Sequence, residues 1–176
     1  MVSWIALALS FCVATSHAGA AISGLDLLQN KPSEVRPGPK GTVAIFLSAR
    51  CPCSNSHLGI VKKLAQDFPA FAFVVIHSNA DEAISEARQY FRQAELDLPV
   101  LQDEHDKLAD QFKALKTPHA YVLSPEGAVL YRGGVTNSAN GPSASQQLLR
   151  AALEDVSAGR PVKTPESRTL GCVIAR

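Results

Sequence analysis

Two cysteines separated by one proline lie where a buried strand is predicted to give way to a helix. The Cys51-Pro52-Cys53 motif follows the apolar, β-branched run at residues 42–48, and a helical pattern begins at Pro52. Proline is favourable at the first helical position. The N-terminus of a helix offers unpaired N–H groups and a positive dipole end, and both stabilise a thiolate. Because the thiolate is the form of cysteine that attacks disulfides and binds metals, the motif indicates thiol redox chemistry or metal binding, and its spacing does not separate the two.

The first 20 residues have the pattern of an export signal. An apolar stretch at residues 4–14 is too short to span a bilayer and precedes small-x-small sequences ending at Ala18 and Ala20. We therefore expect a cleaved signal, export to the periplasm or the exterior, and no stable membrane insertion afterwards. An uncleaved anchor is the alternative, because this segment contains no Lys or Arg.

Cleavage would leave an odd number of cysteines. Cys12 departs with the signal, and Cys51, Cys53 and Cys172 remain. In an exported chain, three cysteines indicate one reactive or metal-binding thiol beside a disulfide, or exchange among all three.

The composition is that of an ordinary globular domain. The chain has 176 residues, is 46% hydrophobic and 19% charged, and carries a net charge of +1 with both signs interspersed. This length is enough to bury a core without disulfide cross-links. The near-neutral charge argues against nucleic acid or an anionic membrane surface as a partner.

Hydrophobic patterning predicts the order β-α-β-α-(β)-α-β-β-α between residues 42 and 158. The predicted strands are 42–48, 71–76, 100–101, 120–123 and 129–131, and the predicted helices begin at Pro52, Asn79, Asp103 and Ser143. Residues 21–41 are predicted to form an N-terminal arm or linker, and residues 159–176 a C-terminal tail carrying Cys172. Crossover helices make the first strands parallel, and the final hairpin adds antiparallel strands, so the expected α/β sheet is mixed.

That order, with Cys51 at the junction of strand and helix and Thr117-Pro118 before the final hairpin, resembles the thioredoxin-like superfamily. The chain is most similar to the exported redoxin group that is related to peroxiredoxins (AhpC/TSA-like) and thiol-disulfide oxidoreductases. Residues 46–54, 116–127 and 131–134 carry the resemblance. It implies a three-layer α/β fold, with a mixed central sheet flanked by helices, over residues 42–158.

The resemblance also implies catalytic roles for the cysteines. Cys51 aligns with the attacking cysteine of the superfamily, Cys53 is the nearest resolving thiol, and Cys172 is the alternative resolver if the tail folds back across the site. The substrates implied are protein or small-molecule thiols and disulfides, and no cofactor is implied.

Four further residues are expected to bind substrate. The resemblance implies a cis peptide bond at Pro118 and exposure of the Thr117 backbone to an extended peptide. Pro52 lies between the two cysteines, and Arg50 replaces the aromatic residue that usually precedes the first of them. A guanidinium at this position would favour the thiolate of Cys51.

Two other functions remain open from the sequence. A copper or zinc carrier would use soft thiolate ligands together with a histidine. Its candidate ligands are Cys51, Cys53, Cys172, His57 and His119.

A peroxiredoxin-like thiol peroxidase is the other alternative. Ser48, three residues before Cys51, fits the Pro-x-x-x-Thr/Ser-x-x-Cys pattern of peroxiredoxins, whereas Ala44 stands where that pattern has proline. Arg132 is the candidate for the arginine of that family.

Overall fold

A computed structural model describes residues 21–176, so the expected export signal lies outside the described residues. Its main sheet has seven strands in the order β2-β1-β5-β4-β3-β7-β8, and β6 and β9 form a separate two-stranded sheet. The strands are β1 Ile22–Asp26, β2 Lys31–Val35, β3 Thr42–Phe46, β4 Ala72–His77, β5 Val100–Gln102, β6 Lys116–Thr117, β7 His119–Leu123, β8 Val129–Gly133 and β9 Cys172–Val173. The α-helices are α1 Pro52–Asp67, α2 Ile84–Ala94, α3 Lys107–Phe112 and α4 Leu148–Ser157.

The sheet is mixed, as the sequence predicts. Strand β3 pairs parallel with β4 and antiparallel with β7, and β4 pairs parallel with β5. All five residues of β3 are buried. A strand that is buried on both faces reads as a continuous apolar run, which is why this central strand was recognisable.

The core has one apolar cluster on each face of the sheet. Side chains alternate along β3, so Ile45 belongs to one cluster and Phe46 to the other. The Ile45 cluster includes residues of α1, α2 and α4, whereas the Phe46 cluster includes Ala109 of α3 and Ile174 of the C-terminal segment. Helices on both sides of the sheet produce the three-layer arrangement. Among residues 21–176, no helix has the length and apolar character needed to cross a membrane.

Residues 21–41, which were expected to form an arm or linker, contain an additional hairpin. Strands β1 and β2 pair antiparallel, and β1 also pairs with β5 at the edge of the main sheet. Its second strand is Lys-Pro-Ser-Glu-Val, which is mostly exposed and contains a proline. Edge strands tolerate proline and need no apolar alternation, so this hairpin has a weak sequence pattern.

Three α-helices begin later than predicted. The second starts at Ile84 rather than Asn79, because residues 78–83 form a loop that packs against the segment before Cys51. The last starts at Leu148 rather than Ser143, and residues 141–143 form a separate 3₁₀ turn. The third, α3, starts at Lys107 rather than Asp103, after a 3₁₀ turn at residues 104–106, and Asp106 occupies its N-cap position. The Asp103 carboxylate still accepts hydrogen bonds from the N–H groups of Leu108 and Ala109 in its first turn.

Candidate active site

Cys51 lies at the N-terminus of α1 and caps that helix. Its sulfur accepts a hydrogen bond from the Ser54 N–H at 3.4 Å, and Cys51 as a whole is only 3% exposed. Its own N–H donates to the Ser48 hydroxyl at 3.1 Å. The sulfur also lies 3.3 Å from the Thr117 carbonyl oxygen. The helix N-terminus and the Ser54 N–H would both stabilise a thiolate at this position.

A disulfide joins Cys51 to Cys172. The two residues are 121 positions apart in sequence, and their Cα atoms are 6.0 Å apart, a normal separation for a disulfide. Cys172 lies on β9, where it pairs with Thr117 of β6. The C-terminal segment therefore folds back across the N-terminus of α1.

Cys53 is a free thiol beside this disulfide. It lies in the first turn of α1 and is partly exposed. The sulfurs of Cys51, Cys53 and Cys172 all lie within 4.8 Å of one another. The structure therefore brings together the three cysteines that the sequence singled out, and in their reduced state they offer three soft ligands to one ion.

The two candidate histidine ligands lie outside this sulfur cluster. His57 is buried, with Nδ1 2.7 Å from the Cys53 carbonyl oxygen and Nε2 2.9 Å from Thr136 Oγ1. Burial lowers its pKa. The ring of His119 packs against that of Tyr121 at a centroid separation of 4.5 Å, with the two planes tilted by 37°. Burial, helped by the charge of Arg132, lowers the pKa of His119 to about 4.

The four predicted substrate-binding residues occupy different positions around Cys51. Pro52 begins α1, and the Thr117–Pro118 peptide bond is cis. Thr117 is buried, and its carbonyl faces the Cys51 sulfur. Arg50 instead points towards α2, where it forms an ion pair with Glu86 and donates to the Asp81 carbonyl oxygen. Its guanidinium is therefore engaged with α2 and the loop before it.

Glu82 is a site residue that sequence reasoning missed. This carboxylate is 5% exposed and accepts hydrogen bonds from the Ser48 hydroxyl, the Ala49 N–H and the Arg50 N–H. His77 Nε2 lies 2.9 Å from its Oε2, the oxygen that also accepts from Ala49. Glu82 thus fixes the segment that leads into Cys51. Its place in an Asn-Ala-Asp-Glu sequence suggested only the start of a helix, and no local signal pointed to this contact.

The hydrogen bonds to Glu82 predict a loss of stability in acid. Burial alone would raise its pKa, but hydrogen bonds from His77, Ser48 and Ala49 outweigh burial and lower the pKa from 4.5 to about 2. A carboxylate with a lowered pKa stabilises the fold above its unfolded-state pKa and loses that contribution as the pH falls through the folded value. Urea unfolding should therefore show wild-type stability falling between about pH 4.5 and about pH 2.

Glu82→Gln should cost about 1–3 kcal/mol at pH 7, because it leaves buried donors poorly paired. The difference from wild type should shrink towards pH 2. Glu86→Gln is the matched control, since Glu86 forms an exposed ion pair with Arg50 that is worth little. A constant difference between Glu82→Gln and wild type across this range would contradict the assignment.

Comparison with known proteins identifies the family and the fold. The AhpC/TSA family model matches residues 28–132, and the chain belongs to this family. Its fold is the thioredoxin-like α/β fold of the redoxins. A comparison with curated proteins finds no match.

Solved structures give the same fold at low sequence identity. An uncharacterised conserved protein from Geobacillus kaustophilus superposes with a TM-score of 0.79 at 24% identity, with 90% of each chain covered. A hypothetical protein from Sinorhizobium meliloti 1021 gives a TM-score of 0.75 at 23% identity, covering 89% of this chain and 91% of its own. A secreted disulfide oxidoreductase of Mycobacterium tuberculosis gives 0.57 at 18% identity, covering 82% of this chain and 99% of its own. These similarities establish the fold.

Proposed function

We propose that this protein is an exported thiol-disulfide oxidoreductase in which Cys51 and Cys172 are the redox pair. The observation that carries the proposal is the Cys51–Cys172 disulfide at the N-terminus of α1, beside Pro118. Membership of the AhpC/TSA family and the fold shared with a secreted disulfide oxidoreductase support it. The apolar segment at residues 4–14 supports export.

Both half-reactions follow from the arrangement of the two sulfurs. In the reducing direction, the Cys51 thiolate attacks a substrate disulfide, forms a mixed disulfide and expels one substrate thiolate, which takes a proton from solvent. The Cys172 thiol then loses its proton and attacks the Cys51 sulfur, and the second substrate thiolate leaves. The substrate gains two electrons and two protons, and the protein ends as the Cys51–Cys172 disulfide. The reverse steps oxidise a substrate dithiol.

Cys51 is well placed to be both the attacking group and the leaving group. A thiolate that is stabilised at a helix N-terminus leaves more readily from a disulfide. The Ser54 N–H is the donor aimed at this sulfur.

The direct test is stoichiometric exchange with a reduced, unfolded model protein that contains two cysteines. The oxidised protein, as the full chain with Cys12→Ser, should lose the Cys51–Cys172 disulfide as the model protein gains one. Quenching with acid and alkylation followed by mass spectrometry measures both. A Cys51–Cys172 disulfide that persists while the model protein stays reduced would refute the proposal.

The surroundings of Ser48 favour disulfide exchange over the peroxidase alternative. The Ser48 hydroxyl has one proton, which it donates to Glu82, and it faces the Cys51 N–H as an acceptor. Because this proton is donated to Glu82, the Ser48 hydroxyl has none left to donate to the Cys51 sulfur or to a bound peroxide. Arg132 is half exposed and paired with Glu166. The rate at which hydrogen peroxide converts Cys51 to sulfenic acid should accordingly be slow.

A soft-metal carrier is the second candidate, supported by the three sulfurs within 4.8 Å of one another. In the reduced protein these thiolates would suit Cu(I) or Zn(II). The metal content of protein purified without chelators discriminates the candidates. One metal per chain with all three thiols unbridged would favour the carrier, whereas metal-free protein with a Cys51–Cys172 disulfide would favour the oxidoreductase.

A further inference from the structure

The segment that carries Cys172 is extended and pairs along β6, the short strand that precedes Pro118. We call residues 168–176 the strap. Within it, Cys172 pairs with Thr117 and Val173 with Lys116, in antiparallel register. The Ile174 N–H also donates to the Leu115 carbonyl oxygen at 3.0 Å. The backbone groups through which β6 could bind an extended peptide are therefore occupied by the chain itself.

The residues before and after Cys172 in the strap differ in how closely the rest of the protein surrounds them. A Cβ atom at Gly171 would clash with the Thr117 carbonyl oxygen and lie 2.7 Å from its carbon, so only glycine fits before the cysteine. Val173 is 72% exposed. Ile174 is 4% exposed and packs in the apolar cluster of Phe46 and Tyr121. The edge of β6 therefore fits a segment with glycine before the cysteine and an apolar residue two positions after it. The residue between the cysteine and the apolar residue, x in the pattern Gly-Cys-x-apolar, is unconstrained.

We propose that the strap is an internal copy of the substrate, and that the substrates of Cys51 are extended peptide segments with the pattern Gly-Cys-x-apolar. This inference rests on the proposed function. When Cys51 and Cys172 are reduced, the strap and a substrate segment compete for the same edge. Substrate binds while the strap is displaced, and the return of the strap brings Cys172 to the mixed disulfide.

Peptides supplied in trans test the predicted pattern. The protein is the full chain with Cys12, Cys53 and Cys172 each replaced by serine, so that Cys51 is the sole thiol. The peptide has the sequence of residues 169–176, with its cysteine joined to nitrothiobenzoate. Attack by the Cys51 thiolate on the peptide sulfur breaks that disulfide, forms the Cys51–peptide disulfide and releases the coloured nitrothiobenzoate anion, so absorbance gives the rate.

Three peptides separate recognition from intrinsic reactivity. Alanine in place of the peptide glycine should slow the reaction about tenfold or more, because a clash with fixed backbone must be relieved. Serine in place of the isoleucine should slow it about tenfold, through the loss of apolar burial. Serine in place of the exposed valine is the matched control and should leave the rate unchanged.

The same glycine substitution in the chain should act in the opposite direction. The parent chain is the variant described above in which Cys51 is the sole thiol. Adding Gly171→Ala to it weakens docking of the strap and frees the edge of β6, so Cys51 should attack the glycine-containing peptide faster. Gly59→Ala is the matched control, because a Cβ at Gly59 meets no atom within 4 Å. Its rate should equal that of the parent chain.

Equal rates for the glycine and alanine peptides would overturn the inference. A Gly171→Ala chain that reacts more slowly than its parent would also overturn it. Failure of Cys51 to react even with glutathione disulfide would instead contradict the proposed function. The peptide comparison uses the parent chain, so it holds even if Gly171→Ala fails to fold.

Discussion

Replacing Cys51 by serine is expected to abolish thiol-disulfide exchange. A hydroxyl cannot form a disulfide, and neither Cys53 nor Cys172 lies at the helix N-terminal position that receives the Ser54 N–H. Serine is also a favourable helix cap, so the variant should keep α1 and the surrounding fold. Exchange with the reduced model protein should fall to the rate measured without enzyme.

The comparison for Cys51→Ser is made in the reduced state, where the wild type has also lost its disulfide. Matching urea unfolding curves for the two reduced proteins would show that the loss concerns chemistry and not folding. Cys53→Ser is the matched control and should retain exchange through Cys51 and Cys172. Full activity in Cys51→Ser would refute the assignment of the nucleophile.

Replacing Cys172 by serine is expected to trap the mixed disulfide. Without the resolving thiol, the adduct between Cys51 and substrate should accumulate and be visible as added mass at Cys51. The Cys53→Ser variant should release its substrate and re-form the Cys51–Cys172 disulfide. Trapping only in Cys53→Ser would transfer the resolving role to Cys53, and equal trapping in the two variants would contradict a resolving role for Cys172 alone.

Cys172→Ser should also destabilise the oxidised protein. The Cys51–Cys172 disulfide closes a loop with a sequence separation of 121 residues. In the chain-entropy model, a loop of that size is worth about 4–5 kcal/mol. Urea unfolding of the oxidised forms measures this difference, which should disappear when both proteins are reduced.

The central elements of the fold could be predicted because their burial leaves a direct pattern in the sequence. Strand β3 is apolar after Thr42 because it is buried on both faces, and α1 has a 3.6-residue period because one face packs on the sheet. The hairpin of β1 and β2 could not be predicted in the same way. It is an edge structure whose composition reflects exposure rather than packing.

The position of Cys51 could be predicted, but the sequence left both Cys53 and Cys172 open as its partner. Local pattern placed Cys51 at the junction of strand and helix, and spacing favoured Cys53 as the nearest thiol. Pairing with Cys172 depends on contacts that no local pattern encodes, namely the β6–β9 register and the burial of Ile174. Glu82 escaped prediction for the same reason, because it acts on a segment more than 30 residues earlier in the chain.

The most direct test of the redox pair is to map the disulfide in protein isolated from its own compartment without reductant or chelator. After alkylation, trypsin cleaves at Arg50, Lys62 and Arg168, releasing residues 51–62 and 169–176. We expect these two peptides joined by a disulfide, with fragmentation placing the bridge at Cys51 and the alkyl group at Cys53. A Cys51–Cys53 disulfide with alkylated Cys172, or three alkylated cysteines, would contradict the account.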